Sequence, residues 1–261
     1  MANADFRKDV TMPVRPRSVY TAHSYNQEES NLSAFQDYSK FLEGGLGQAE
    51  LGGVTDVVGG AGYNASVTPH GTICLRLRDR VKVDMTIDGA VRVTNAKNNI
   101  ILALSRSGAA AALIHPNGRV YHYGSRVEIQ ARHQQGNNKY AKMWYKGVSF
   151  TAEQCALVYL VDAAGTRTTT DTFLDMSQDF TLNVFYKIHR CSHKYQLRTS
   201  PSNGSASITS PFLHCTASLG QTQHLFVRRG ERRMHFDGNS FIVRNAGHSA
   251  GFDDKNQLKV Y

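Results

Sequence analysis

The chain has 261 residues, of which 41% are hydrophobic, 10% aromatic and 20% charged. These are the proportions of an ordinary globular protein, and they exclude collagen-like, wholly disordered and disulfide-scaffold classes. Thirty basic against twenty-one acidic residues give a formal charge of +9, and residues 182–261 hold eleven of the Lys and Arg but four of the Asp and Glu. So uneven a charge points to an anionic partner, whether nucleic acid, a phospholipid surface or an acidic protein, or else to a solvated basic face with no dedicated ligand.

No run of about 18 uncharged apolar residues occurs, so no membrane-spanning helix is expected. Residues 1–8 lack the apolar stretch of a secretory signal. The four cysteines, Cys74, Cys155, Cys191 and Cys215, stand singly. Together these features predict an intracellular chain with reduced thiols.

The first 30 residues are polar, carry Pro13 and Pro16 and show no sustained period, so they read as an extended arm. Leu32, Phe35, Tyr38, Phe41 and Leu42 then recur at helical spacing. Asn31 or Ser33 can cap the start and Gly44-Gly45 can end it. The pattern predicts a helix over about 32–43. Its stripe of Leu32, Phe35, Phe41 and Leu42 needs a docking partner, since so short a helix does not persist alone. Eight glycines between Gly44 and Gly62 read as linker; neither the Lys-Ser/Thr ending nor the G-x-G-x-x-G spacing of a phosphate loop is present. Residues 1–62 are thus expected to be arm, helix and linker, and 63–261 a single β domain.

From Ser66 the text changes to short alternating runs separated by turns. Residues 81–87 lead through Asp88-Gly89 into 91–93, and 110–114 through Pro116-Asn117-Gly118 into 120–123. Residues 157–161 lead through Asp162 to Gly165 into 167–170, and 233–236 through Asp237-Gly238 into 241–243. Asn-Gly and Asp-Gly supply the positive φ that tight hairpins need, and alternation buries one face of each strand. Residues 98–104 and 180–186 are expected to add strands, and the Ser/Gly/Pro-rich 199–211 to form a mobile loop. The fold class that follows is mainly β: a meander of antiparallel hairpins forming a sandwich or a rolled or open barrel, with an N-terminal arm and one short helix.

Chemistry-bearing clusters are few. On a strand His189, Cys191 and His193 share a face, and His214 or Cys215 could complete a mixed zinc site. The spacing matches no common zinc pattern, so no metal or cofactor is expected. Neither Cys191 nor Cys215 has the signature of an activated nucleophile, and the G-x-S-x-G elbow of serine hydrolases is absent. Asp162, Asp171, Asp175 and Asp179 fall where turns use aspartate. No enzyme is expected. Arg228, Arg229, Arg232 and Arg233 place four arginines in six positions. They read either as a grip on phosphates or acidic side chains or as a charged hairpin edge that blocks edge-to-edge pairing. Tyr121, Tyr123, Trp144 and Tyr145 offer a base-stacking platform or, more simply, cross-strand packing.

Residues 113–124 (Leu-Ile-His-Pro-Asn-Gly-Arg-Val-Tyr-His-Tyr-Gly), with the Asp-Gly turns at Gly89 and Gly238, resemble hairpin units of ciliary and sperm-tail central-apparatus proteins of the sperm-associated-antigen type. That resemblance implies a non-catalytic scaffold, with a basic face meeting acidic partners and an arm docking a neighbour. The sequence therefore predicts a non-enzymatic β-domain protein in an axonemal assembly, with acidic, tubulin-like surfaces as partners. The alternative is a nuclear nucleic-acid-binding module using the basic C-terminal third.

Overall fold

A computed structural model describes residues 64–132, 138–152, 157–186, 196–220 and 223–261. The chain divides into two units, Met1–Asp56 and Val57–Tyr261, and every described residue falls in the second. The helix expected over 32–43, with Leu32, Phe35, Phe41 and Leu42, lies outside the described residues, as do His189, Cys191 and His193.

The alternating runs form strands, each paired antiparallel with the next in sequence within its sheet. The first sheet has twelve: β1 (Asn64–Val67), β2 (Ile73–Arg76), β3 (Val81–Met85), β4 (Val91–Asn95), β5 (Ile100–Leu104), β6 (Ala111–His115), β7 (Gly118–Tyr123), β8 (Arg126–Ala131), β9 (Lys139–Trp144), β10 (Gly147–Ala152), β11 (Val158–Asp162) and β12 (Gly165–Thr169). The second has eight: β13 (Gln196–Ser200), β14 (Ser205–Thr209), β15 (His214–Ser218), β16 (His224–Arg229), β17 (Arg232–Phe236), β18 (Phe241–Asn245), β19 (His248–Phe252) and β20 (Leu258–Val260). Neither sheet closes on itself. Of the architectures the alternation allowed, the molecule adopts the open two-sheet sandwich.

Along most strands every second residue is apolar and turned inward, and the two inner faces share one core. Leu102, Leu113, Ile129 and Phe150 of the first sheet pack with Leu225, Val227, Phe236 and Phe241 of the second. The turn after β6 clasps the sheets together. The buried His115 ring donates from Nε2 to the Gly204 carbonyl (2.9 Å) and accepts the Asn117 N–H at Nδ1 (3.1 Å). The Asn117 amide donates to the carbonyls of Ser218 (2.7 Å) and His224 (3.0 Å). Burial holds the His115 pKa below the ordinary histidine value, as both hydrogen bonds require of a neutral ring. The Pro-Asn-Gly turn thus joins two sheets as well as two strands.

Two expectations are corrected. Residues 180–186 form no strand; Thr181–Phe185 is a short helix, α1. Asp179 starts it by accepting the Thr181 N–H (2.8 Å), and the sheet beneath offers the small Ala103, Ala110 and Ala112, against which Phe180 and Val184 pack. Phe180, Leu182 and Val184 alternate with Thr181 and Asn183, a strand-like signal that is too short to decide between strand and helix; the docking surface decides. Nor is 199–211 a loop throughout. β14 runs through it, with Ala206 and Ile208 buried and Ser205, Ser207 and Thr209 on the other face. Its two inward apolar residues outweigh a composition typical of turns. No helix among the described residues is long and apolar enough to cross a membrane.

The segment 170–186 forms a strap across the outer face of the first sheet, reaching from β4 to β9. Arg119 Nη1 donates to the carbonyls of Met176 (2.6 Å) and Gln178 (3.1 Å), and Arg92 Nε to Thr181 Oγ1 (3.1 Å). Tyr121 stacks on Phe180, with centroids 4.3 Å apart and planes within 8°. Lys142 pairs with Asp171 and donates to the Thr172 carbonyl (3.0 Å). Beside them Glu128 is 3% exposed. Burial pushes its carboxyl up to about 7 from 4.5, against the opposing pull of Lys142. A carboxyl raised in the folded state keeps its proton longer there than in the unfolded chain. Its contribution is therefore full below about 4.5 and is lost as pH rises towards about 7. Glu128→Gln is expected to remove that loss. Measured by urea unfolding, the variant should gain on the order of 3 kcal/mol relative to the native chain between about pH 4 and pH 8. Parallel stability curves for the two proteins would contradict this placement of Glu128.

Candidate anion-binding face

The hairpin of β16 and β17 turns at Gly230 and Glu231, with Gly230 at a φ of 59°. Strand alternation then divides the four arginines into two pairs. Arg228 lies opposite Arg233, exposed on the outer face of the second sheet, whereas Arg229 and Arg232 share parity with the buried Val227 and Met234. Arg232 Nη2 donates to the Tyr145 carbonyl (3.3 Å) at the rim of the sandwich. Burial, and then the adjacent Arg232, lowers the Arg229 pKa.

The outer pair gains a member the sequence did not suggest. Arg233 lies opposite Arg244 of β18, and Arg228 lies opposite His214 of β15, giving a row His214–Arg228–Arg233–Arg244 across four consecutive strands. Neighbouring strands lie about 4.8 Å apart, so three guanidinium stems stand side by side. Among the described residues no ion pair involves Arg228, Arg233 or Arg244. Two acids at the other end of these strands are engaged there: Asp237 accepts the N–H groups of Asn239 (2.9 Å) and Ser240 (2.7 Å), and Asp253 accepts those of Lys255 (3.0 Å) and Gln257 (2.8 Å) and pairs with Lys259 (3.4 Å). Glu231 joins Arg233, Arg244 and residues 245–249 in lining a shallow groove at the end of the row. Like charges directly opposite one another destabilise a sheet, and an anion laid across the row relieves that repulsion. The edge-guard role is excluded by topology, because β16, β17 and β18 are interior strands of the second sheet.

The next outward row, one pleat away, is Thr216–Phe226–His235–Ile242. Phe226 and Ile242 are half-buried there and His235 is exposed. The other candidates fall elsewhere. Cys215 is fully buried in the core, where desolvation pushes its thiol far up; His214 faces the opposite way. Among the described residues no group of His, Cys, Asp and Glu is arranged to hold a metal ion. Tyr121 is spent beneath the strap, stacked on Tyr123 as well as Phe180. Tyr145 is exposed, with Lys146 over the neighbouring Trp144 ring. Asp162, Asp175 and Asp179 accept backbone N–H groups two residues on.

A family model described as Domain of unknown function (DUF8796) matches residues 64–200. That span takes in the first sheet, the strap and β13; the arginine row lies C-terminal to it. No curated protein matches the sequence, those of the ciliary central apparatus included. Among solved structures, the wild-type TCP10 domain of Danio rerio CPAP is similar at 10% identity and a TM-score of 0.30, over 77% of this chain and 95% of that one. The G-box domain of the microcephaly protein CPAP is similar at 11% identity and a TM-score of 0.26, over 77% and 98% of the two chains. A structure of the Danio rerio domain in complex with a peptide of Danio rerio STIL is similar at 9% identity and a TM-score of 0.21, over 77% and 99%.

Proposed function

The chain belongs to the family described as Domain of unknown function (DUF8796), and we propose that it is a non-enzymatic protein-interaction domain whose second sheet presents a cationic face to an acidic protein segment. One observation carries this reading: Arg228, Arg233 and Arg244 stand in register on three interior strands with no carboxylate paired to them among the described residues. Guanidinium groups bind carboxylates through paired N–H donors, which gives orientation as well as attraction. Acidic, tubulin-like surfaces have the required chemistry, and the ciliary or flagellar setting rests on the resemblance of the hairpin units alone. Nucleic acid is the competing ligand, favoured by the net charge of +9. The row is poorly furnished for it, since base stacking draws on several exposed aromatics and Phe226 is the one aromatic carbocycle in the adjoining row.

The test compares the full chain with its Arg228→Glu/Arg233→Glu/Arg244→Glu variant by fluorescence anisotropy, using labelled poly-glutamate and labelled single-stranded oligonucleotide at low salt. Poly-glutamate should bind the native chain, weaken as salt rises, and lose at least about tenfold in affinity to the variant. Equal binding by the two proteins, or binding of the oligonucleotide alone, would overturn the proposal. Matched melting curves for the two proteins show whether the fold is retained.

A further inference from the structure

Resting on the interaction-domain reading above, we infer that the outer face of the second sheet takes an amphipathic acidic helix, laid across β15–β18 with its carboxylates on the arginine row and its apolar stripe on Phe226 and Ile242. The face has two parallel rows of different chemistry. His214, Arg228, Arg233 and Arg244 form one; Phe226 and Ile242 anchor the other, two residues along the same strands. The rows are separated by about 6.7 Å, within the 10–12 Å width typical of a helix with its side chains. A single helix can therefore touch both.

The spacing along the row selects helix over extended chain. From His214 to Arg244 are three strand-to-strand steps, about 14 Å. Side chains three and four apart on a helix recur about every 5 Å along its axis, close to the strand spacing. Same-face side chains of an extended segment recur about every 6.7 Å and would overrun the row by about 6 Å.

The molecule already uses such an arrangement on its other sheet. There α1 lies on the outer face, with Phe180 and Val184 packed on Ala103 and Ala112, while Arg92 reaches Asp179 (3.6 Å) at the start of the helix. Cation and apolar surface on one sheet face thus receive carboxylate and apolar side chains from a helical segment. The first sheet supplies its own cover; among the described residues the second does not, and its cation row is longer.

The probe is a synthetic peptide of about 14 residues carrying Glu and Leu in two adjacent stripes at three- and four-residue spacing. A scrambled isomer of the same composition and a labelled oligonucleotide serve as competitors. Against the full chain the striped peptide should bind at least about tenfold more tightly than its isomer and gain helical circular dichroism on binding. Its affinity should fall in Ile242→Ser and, separately, in Arg228→Gln/Arg233→Gln/Arg244→Gln, with thermal melting confirming both folds. If the isomer binds as tightly, or the bound peptide stays non-helical, the helix is wrong, although loss of binding in the arginine variant would leave the anionic face standing. If no acidic peptide binds, or if the oligonucleotide alone depends on the three arginines, both readings fall.

Discussion

Replacing Phe150 with alanine is expected to cost about 3–5 kcal/mol, a large part of the about 5–15 kcal/mol by which domains are usually stable. Phe150 sits on β10, fully buried at the junction of the sheets. Its ring lies 5.4 Å from Tyr159 on the neighbouring strand, and 5.5 Å from Phe252 and 6.3 Å from Phe241 across the interface. Truncation removes these contacts from both sheets at once, and hydrogen-bonded backbones on either side prevent collapse into the space. Urea unfolding should show a lower midpoint at an unchanged slope, the mark of lost stability rather than altered compactness. Phe150→Leu keeps most of the volume and should cost much less. Were the sheets not stacked, Phe150 would face solvent and truncation would cost under about 1 kcal/mol; a result that small would refute the sandwich itself.

The hairpins were legible because turn chemistry and alternation act locally. Asp88-Gly89 and Asn117-Gly118 punctuate runs whose every second side chain is apolar, and both features survive whatever the sheets do next. The pairing of the sheets was not legible. It depends on ties such as Asn117 to Ser218 and His224, residues about a hundred positions apart. For α1 and β14 the deciding term was again the surface underneath: alanines that admit a helix in one case, and a core that wants Ala206 and Ile208 in the other.

The arginine row shows the same division between local and distant information. Alternation from the Gly230-Glu231 turn would have parted Arg228 and Arg233 from Arg229 and Arg232. Arg244 needed the length of the next loop. A two-residue turn at Asp237-Gly238 would set Arg233 opposite Ile242. The actual loop runs from Phe236 to Phe241, closed by Asp237 N–H to Ser240 O (3.2 Å), and sets Arg233 opposite Arg244. Two extra loop residues convert a basic hairpin into a three-strand cation row.

Gly118→Ala is expected to be as damaging as the loss of a core aromatic, and for a different reason. A Cβ at Gly118 would press into the carbonyl oxygen of Gln130 on β8 and stand 2.8 Å from Leu225 Cδ2 of the second sheet. A carbonyl held in a strand ladder cannot swing away, so β7 would have to shift. That shift disturbs the Arg132 N–H to Asn117 carbonyl bond (2.8 Å) and the Asn117 ties to the second sheet. Overpacking of this kind costs about 1–3 kcal/mol even when side chains alone must give, so a backbone collision should exceed about 3 kcal/mol. Gly230→Ala supplies the control. Gly230 has a φ of 59° but nothing within 4 Å of the added carbon, and the left-handed backbone alone costs about 1–2 kcal/mol. Thermal melting should lower Tm by about 2–8 °C for Gly230→Ala and by more than about 6 °C for Gly118→Ala, with the unfolded fraction of the latter rising at 37 °C. Equal shifts for the two would mean that β7 and β8 have slack at Gln130, and that the clasp at Asn117 does not fix the sheets in register.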